Sequence, residues 1–213
     1  MNNLKDDILS VSLSLFNKHG IDGVKTRDIA EKAGISLGNL TYYYPTKNDI
    51  VLALCRQFID RVDEELVDEP APNGLLYMYH LVKRVFLIQL EYRFILNARY
   101  AEIVASLPEV QRHYRNVLVT RLGYARQLYT QMVSEGLAEK ALIANTVELV
   151  YMVNIIGLFW QQELAIYSPE MVDEEKVEYA LAVLFQAYRP YLTAKGKKVL
   201  MPLLKKMEAY KIS

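Results

Sequence analysis

A short stretch of the chain, Thr26 to Lys47, concentrates side chains of the types that recognise nucleic acid. Amide and hydroxyl groups near the start of a helix can contact base edges in a major groove. If the second half of this stretch is helical, Leu40 must face inward. The side chains left facing outward are then the candidates for base contact: Leu37, Asn39, Thr41 and Tyr43. Gly38 lies among them and would let the backbone approach closely.

Two short helices must position these side chains. Thr26 is predicted to cap a first helix of about Arg27 to Ala33, and Gly34 to end it, because glycine adopts the positive φ of a tight exit. Ser36 is predicted to cap a second helix, Leu37 to Tyr43. Free N–H groups at both helix starts, beside Thr26 and Ser36, can hold phosphate. The intervening turn has the length that a helix-turn-helix uses.

The apolar pattern supports a close helix crossing. Ala30 is small where two helices would meet, and Gly34 follows four residues later in the turn. Ile35 and Leu40 are apolar and would fill the space between the helices. This combination of a small residue, a glycine and two apolar residues is what a helix-turn-helix needs sterically.

These residues together resemble the DNA-binding segment of TetR-type transcriptional regulators, with the pattern T-x-x-I-A-x-x-A-G-[VI]-S-x-G-x-L-x-Y-x-[FY]-x-x-K-x-x-[LI]. The matching positions are Thr26, Ile29, Ala30, Ala33, Gly34, Ile35, Ser36, Gly38, Leu40, Tyr42, Tyr44, Lys47 and Ile50. The preceding stretch, with Phe16 and Gly20, also resembles the first helix of that family. The resemblance is specific over about residues 4–54, and beyond them it is one of size, helical content and layout.

The resemblance implies further roles. Tyr42 and Lys47 match family positions that usually contact phosphate, which fixes register and not sequence. The full set of DNA-contact candidates is Thr26, Arg27, Ser36, Leu37, Gly38, Asn39, Thr41, Tyr42, Tyr43 and Lys47. Two positions depart from the family pattern. Tyr43 replaces a residue often used in DNA contact, so no base preference is transferred, and Tyr44 replaces a core Phe, so its hydroxyl needs a partner or the surface.

The whole chain is predicted to be all-α, because no segment alternates for long enough to indicate a strand. Residues 1–46 are predicted to form a three-helix helix-turn-helix DNA-binding domain. A connector helix is predicted over 47–67, with Thr46 and Asp49 as its capping pair. Residues 68–213 are predicted to form a larger helical ligand-binding and dimerisation domain, starting with an acidic linker rich in Pro and Gly. Its predicted helices cover about 75–92, 97–106, 109–135, 142–167, 173–188 and 198–210, with Pro202 near the first turn of the last.

One later segment is apolar nearly all round, from Leu149 to Trp160. Such a helix must be buried on more than one side. One face would line the core and the other would meet a second subunit, so that this helix and the one at 173–188 form a four-helix interface across a two-fold axis. The family resemblance implies the same homodimer. The run is interrupted by Asn154 and is too short to span a bilayer, so no membrane partner is expected.

Aromatic residues are dense in the second half and would line a cavity between helices. Candidate ligand-binding residues are Tyr77, His80, Arg84, Tyr100, Tyr124, Gln127, Asn154 and Trp160. The alternative is that the aromatic rings pack the core and the polar groups are satisfied locally. For Asn154, a further alternative is a hydrogen bond to its symmetry mate across a dimer.

Composition limits the remaining classes of function. The single cysteine, Cys55, allows no internal disulfide and fits a reducing cytoplasm; it is either a buried small hydrophobe or a redox sensor. The N-terminus does not resemble a secretory signal. The three histidines are far apart, and neither a metal-ligand spacing nor a Gly-rich phosphate loop is present. No cofactor, metal or enzymatic activity is therefore expected.

Charge is distributed unevenly although the formal net charge is zero. Residues 51–194 carry 13 basic and 18 acidic side chains, whereas residues 195–213 carry six basic and one acidic. The basic tail is either a solvated helix end or a contact with DNA or membrane.

The sequence thus predicts a cytoplasmic, sequence-specific DNA-binding transcriptional regulator that represses from a palindromic operator as a dimer. An unknown small-molecule effector would favour a dimer geometry with wrongly spaced recognition helices, and the connector helix would transmit the change. The alternative is a helical dimer that acts as a protein-interaction module without small-molecule control.

Overall fold

The structure, a computed structural model, describes the backbone of residues 4–65, 71–98 and 108–204. Within these ranges the chain is helical and contains no strand; the only β-type pairing is an isolated antiparallel bridge between Ala138 and Leu192. The prediction of an all-α fold is confirmed. The chain divides into two compact units, which are described separately.

The first unit comprises Met1–Glu65 and Ile88–Tyr100. Its helices are α1 (Leu4–Gly23), α2 (Thr26–Lys32), α3 (Leu37–Tyr43), α4 (Lys47–Glu64), the last residues of α5 (Gly74–Glu91) and α6 (Arg93–Ala98). One apolar side of each of the first four helices fills a common core, with fully buried side chains at Ile8, Phe16, Ile29, Leu40, Ile50 and Leu54. The predicted three-helix domain and the start of the connector helix therefore share one core.

Glycine sets the end of the regular part of α1. Gly20 has φ 71° and ψ 164°, which interrupts the helix where the sequence predicts its end. A side chain would strain this backbone conformation, because only glycine adopts it at little cost. Phe16, one turn earlier, packs against Phe94 of α6 with ring centroids 5.3 Å apart.

The second unit comprises Leu66–Leu87 and Ala101–Ser213. Besides most of α5, it contains α7 (Pro108–Ser134), α8 (Ala141–Ala144), α9 (Thr146–Tyr167), α10 (Asp173–Tyr188), a 3₁₀ turn (Arg189–Tyr191) and α11 (Ala194–Leu204). A tyrosine pair connects α7 and α10 in its core, where the hydroxyls of Tyr129 and Tyr188 lie 2.7 Å apart. Burial raises the pKa of Tyr129 to about 12, an effect that its hydrogen bond to Tyr188 partly offsets.

Two predicted helices differ from the structure. The predicted helix over 142–167 is divided at Asn145, whose φ of −100° and ψ of 24° separate α8 from α9. The last helix begins at Ala194 instead of residue 198, because the Thr193 hydroxyl accepts the Gly196 N–H at 3.1 Å and caps it. Pro202 consequently lies inside α11 and not in its first turn.

Several predicted boundaries fall on residues that lie outside the described ranges. These are the start of the linker predicted from residue 68, most of the helix predicted over 97–106, and the end of the helix predicted to reach residue 210. The connector helix is described from Lys47 to Glu64.

Candidate nucleic-acid interface and ligand pocket

The start of α2 differs from the prediction. Lys25, and not Thr26, is the cap residue, and its backbone N–H donates to the Asp28 carboxylate at 2.8 Å. The predicted cap at Thr26 is therefore wrong, because Thr26 is already the first helical residue. An ionised carboxylate is a strong acceptor for a free N–H, and Asp28 stands at the position from which it can reach back.

The turn between α2 and α3 follows the prediction. Gly34 has φ 69°, and its N–H donates to Glu31 O at 3.1 Å, while the Ile35 N–H donates to Ala30 O at 3.0 Å. These two bonds form a Schellman motif, which explains why glycine is needed at this position. The Ser36 hydroxyl then accepts the Asn39 N–H at 3.1 Å, so Ser36 caps α3 as predicted.

The turn positions α3 so that most of its surface is exposed. Leu40 is fully buried and anchors the helix, and Tyr43 is half-buried. The other predicted side chains of α3 are exposed: Leu37, Asn39, Thr41 and Tyr42, together with the backbone of Gly38. The structure therefore brings the candidates for base contact together on one short helix, as the pattern predicts.

Polar groups on this helix remain able to bind a ligand. The Asn39 side-chain amide has no hydrogen-bond partner among the described residues, whereas the Thr41 hydroxyl donates to Gly38 O at 3.1 Å and keeps its acceptor sites. Tyr42 is 80% exposed, with its ring edge-on to Tyr43 at 5.2 Å. Tyr42 therefore projects outward and can reach beyond the helix surface.

Lys47 has a structural role that sequence reasoning missed. Its ammonium donates to Ile21 O at 2.7 Å and to Val24 O at 3.0 Å, which ties the start of α4 to the end of α1 and to the residue that follows it. An ammonium has three donors, so one remains for a phosphate. The partners are more than 20 residues away in sequence, and no local pattern indicates them.

The remaining candidates of this unit flank α3. Arg27 is exposed on α2, and Thr26 is half-buried at the start of the same helix. Tyr44, just after α3, is only 8% exposed. Burial, with a smaller contribution from Asp6, raises the pKa of its hydroxyl. Tyr44 therefore occupies the core position where the family pattern has Phe.

A pocket of about 450 Å³ lies in the second unit, along one side of α5 and the segment before it. Its lining residues are Ala71, Pro72, Tyr77, His80, Lys83, Arg84 and Leu87. Three of the predicted ligand residues, Tyr77, His80 and Arg84, are among them. Lys83 was not predicted, although its spacing of three residues from the predicted His80 places both on the same side of α5.

The other predicted ligand residues do not line this pocket. Tyr124 lies behind it, and its hydroxyl hydrogen-bonds to that of Tyr77. Trp160 is buried and stacks on Phe86 with ring centroids 5.1 Å apart, as the core-packing alternative anticipated. Tyr100 lies outside the described residues.

Two polar candidates from the long helices have other environments. Gln127 is exposed on α7, because the inward side of that helix is formed by Leu128 and Tyr129. Asn154 accepts a hydrogen bond from Arg121 Nη1 at 3.2 Å, which joins α9 to α7. A partner within the chain therefore satisfies the acceptor of Asn154.

Lys83 takes part in a buried polar cluster behind the pocket. Its ammonium forms an ion pair with Glu178 of α10, and the other carboxylate oxygen of Glu178 accepts the Tyr79 hydroxyl at 2.7 Å. Glu178 is 7% exposed. Burial and the Glu178 carboxylate raise the pKa of Tyr79 well above its usual range, so Tyr79 stays a hydrogen-bond donor.

An exposed apolar stripe runs along α9. Its side chains recur at helical spacing and are between 49% and 70% exposed: Val147, Tyr151, Ile155, Phe159 and Ile166. At 22 residues, α9 is long and apolar enough to cross a membrane by length and composition alone, so the expectation that this segment is too short to do so was wrong. The buried core helices of soluble proteins pass the same test. This stripe is therefore the candidate interaction surface of the second unit.

Cys55 is buried on α4, next to the fully buried Leu54. Burial raises the pKa of its thiol to about 12. A redox sensor needs an accessible, low-pKa thiol, so the structure favours the interpretation of Cys55 as a small hydrophobe.

Comparison with known proteins gives two matching family models. The one described as "Bacterial regulatory proteins, tetR family" matches residues 8–54, and the one described as "Bacterial transcriptional repressor" matches residues 57–200. Among curated relatives, the HTH-type transcriptional regulator RutR of Escherichia coli K12 is 43% identical over 56 residues, which are 26% of each protein. The chain therefore spans about a quarter of the length of RutR. The HTH-type transcriptional repressor KstR2 of Mycolicibacterium smegmatis is 24% identical over 196 residues, covering 86% of this chain and 91% of KstR2.

Solved structures share the fold. A TetR-family transcriptional regulator from Marinobacter aquaeolei VT8 has a TM-score of 0.79 at 24% identity, over 97% of this chain and 99% of its own. AibR, solved in complex with isovaleryl coenzyme A and operator DNA, has a TM-score of 0.61 at 15% identity, over 86% and 98%. The second family model alone matches more than half of the sequence. The chain therefore belongs to the TetR family of bacterial regulators, whose members are transcription factors and not enzymes.

Proposed function

We propose that this chain is a transcriptional repressor that binds a palindromic operator as a homodimer and releases it in response to a small-molecule effector. The observation that carries the proposal is the exposure of α3, which presents an amide, a hydroxyl and an apolar side chain while Leu40 anchors the helix. A helix whose only role was to fill the core would bury more of its seven residues than α3 does.

The roles on this surface divide between bases and backbone. Leu37, Asn39 and Thr41 lie near the N-terminal end of α3, the part of a recognition helix that reaches base edges. An Asn side chain can bind adenine through two hydrogen bonds. Tyr42 projects outward, and the remaining donor of Lys47 can bind phosphate, which positions the helix without reading sequence. Tyr43, half-buried, supports Tyr42 edge-on.

The apolar stripe of α9 supports the dimer. A second copy would cover the stripe and the exposed Val183 of α10, giving the four-helix interface expected from the sequence. Two recognition helices about 34–36 Å apart would then read two half-sites separated by one turn of DNA. A single seven-residue helix makes few contacts with DNA, so high affinity for the operator requires both recognition helices of the dimer.

The pocket in the second unit supports a response to an effector. Its volume of about 450 Å³ is in the range of small-molecule sites, and polar groups converge on it from α5. AibR, a structural relative, was solved with both a coenzyme A thioester and operator DNA. By the same logic, an effector here would favour a dimer geometry in which the recognition helices no longer match the operator, with a coupling of about 1–3 kcal/mol.

Selection from a random duplex pool tests DNA recognition. The wild-type protein should enrich a palindrome, and Asn39→Ala should relax the preference at one position of each half-site, with a loss of about 1–3 kcal/mol. Asn116→Ala, at an exposed position of α7, is the matched control and should select the same palindrome. Failure of the wild type to enrich any sequence would contradict the proposal and favour a protein-interaction module.

Sedimentation equilibrium tests the dimer. Ile155→Glu places a charge in the middle of the apolar stripe, where Ile155 is 58% exposed, and should yield a monomer with much weaker operator binding. Val119→Glu introduces the same charge at a 71% exposed position of α7, off the stripe, and should remain dimeric. A dimeric Ile155→Glu protein would place the interface elsewhere.

A further inference from the structure

We infer that the pocket beside α5 binds an amphipathic anion, and that this anion competes with Glu178 for the ammonium group of Lys83. The ligand class is a small molecule with an apolar body and a carboxylate or phosphate head. This inference rests on the proposed effector response and specifies the ligand of that same pocket.

The basic residue types of the lining indicate an anionic head group. Three of the seven lining residues are His80, Lys83 and Arg84, and none of the seven is acidic. Arg and Lys are the residues that bind carboxylate and phosphate groups, Arg through two parallel hydrogen bonds. Lys83 and Arg84 would repel a cationic ligand, and a neutral ligand would form weaker hydrogen bonds with them than an anion does.

The rest of the lining indicates the apolar body. Pro72 and Leu87 line the pocket at exposed positions, and the ring of Tyr77, which is 8% exposed, forms part of the same wall. Burying apolar ligand surface against such side chains is favourable in proportion to the area removed from water. The pocket thus combines a cationic side with an apolar side.

Lys83 is the residue through which an anion would act on the fold. Its side chain is 28% exposed and borders the pocket, while its ammonium binds the buried carboxylate of Glu178. A ligand anion and Glu178 are like charges that share this ammonium, so each weakens the hold of the other. Occupation of the pocket would therefore loosen the connection between α5 and α10, the helix that is proposed to join α9 in the dimer interface.

Two fluorescent probes that differ in charge test the site on the full chain without DNA. The probes are 8-anilinonaphthalene-1-sulfonate and its uncharged analogue N-phenyl-1-naphthylamine. Lys83→Met should weaken binding of the sulfonate about 10-fold or more, because a hydrogen bond to a charged group is lost. Glu178→Gln should tighten it about 5- to 10-fold, because a competing like charge is removed. Lys197→Met, at an exposed position of α11, is the control and should leave the affinity for both probes unchanged.

The double variant Lys83→Met/Glu178→Gln separates competition from a general loss of structure. It should bind the sulfonate about as weakly as Lys83→Met alone, because removing Glu178 helps only when Lys83 is present. Equal affinities of the sulfonate for wild type and both single variants would overturn the inference. Parallel changes in the uncharged probe would also overturn it, because they would show an effect of pocket shape.

Competition with the bound sulfonate distinguishes the head groups. The sulfonate should be displaced by octanoate or by octyl phosphate, whichever carries the head group of the natural ligand. Octanol, which is uncharged, should not displace it. Displacement by octanol equal to that by both anions would overturn the anionic class. These binding results do not depend on DNA, so failure of operator selection would remove the proposed function and leave the anion site standing. A displacing anion that leaves operator affinity unchanged would remove only the effector response.

Discussion

Replacing Gly38 by alanine separates what α3 does for the fold from what it does for DNA. Gly38 is the second residue of α3 and is exposed. Its φ is not positive, and an added Cβ would meet only Ser36 Oγ at 3.9 Å, an ordinary van der Waals distance. The fold therefore has no need for glycine at this position.

The expected stability change follows from helix propensity. Alanine favours the helical state over glycine by about 0.8–1 kcal/mol inside a helix, and we expect at most this gain in the free energy of unfolding for a residue in the first turn. For a chain of this size, such a gain raises Tm by about 2–4 °C. The methyl group that Gly38→Ala adds would project from the exposed surface of α3 toward the backbone and bases of bound DNA. We therefore expect operator affinity to fall at least about 10-fold, or about 1.4 kcal/mol, in a protein that is no less stable.

Fluorescence anisotropy with the selected operator, together with thermal unfolding, measures both effects. Gly123→Ala is the matched control, because Gly123 is an exposed glycine inside α7 with nothing within 4 Å of an added Cβ. It should gain similar stability and leave operator affinity unchanged. If Gly38→Ala binds the operator as tightly as wild type, the backbone of α3 does not approach DNA at this position.

Further predictions concern stability and reactivity. Gly196→Ala should destabilise the chain by about 1–3 kcal/mol in urea unfolding, because its Cβ would overlap the Leu137 carbonyl oxygen, a backbone atom; unchanged stability would contradict this close approach. Thr46→Ala should cost about 0.5–2 kcal/mol by removing a reciprocal cap with Asp49, and equal urea midpoints would exclude that role. Cys55 should resist iodoacetamide at pH 8 until the protein is unfolded, since burial raises the pKa of its thiol to about 12 from an ordinary 9.0. The raised folded pKa means that its contribution to stability is complete below about pH 9 and is lost as the pH rises toward 12, which urea unfolding across that range would show.

The sequence predicted those parts of the DNA-contact unit that depend on short-range interactions. Gly34, Ser36 and the Thr46 cap act on backbone groups within about four residues, so residue type and spacing were enough. The cap at Thr26 was wrong because Asp28, equally local, reaches the free Lys25 N–H instead. Where two local caps compete, the sequence alone does not decide between them.

Long-range partners were beyond this kind of reasoning. The pairing of Lys83 with Glu178 joins residues 95 apart, and nothing in either neighbourhood indicates the other. Lys47 likewise donates to carbonyl groups at the end of α1 and just after it, more than 20 residues earlier. Gln127 is a different case, because the helical phase of Leu128 and Tyr129 already implied that it faces outward.

The role of α3 as a sequence-reading helix can be measured by titrating the protein with the selected palindrome and with a scrambled duplex of the same length and composition, over a salt series. The palindrome should bind at least about 10³-fold more tightly than the scrambled duplex. Affinity for both duplexes should fall steeply between about 50 and 200 mM salt, because phosphate contacts release counterions. Equal binding of the two duplexes, or binding that does not respond to salt, would contradict the assignment of α3 as a sequence-reading helix.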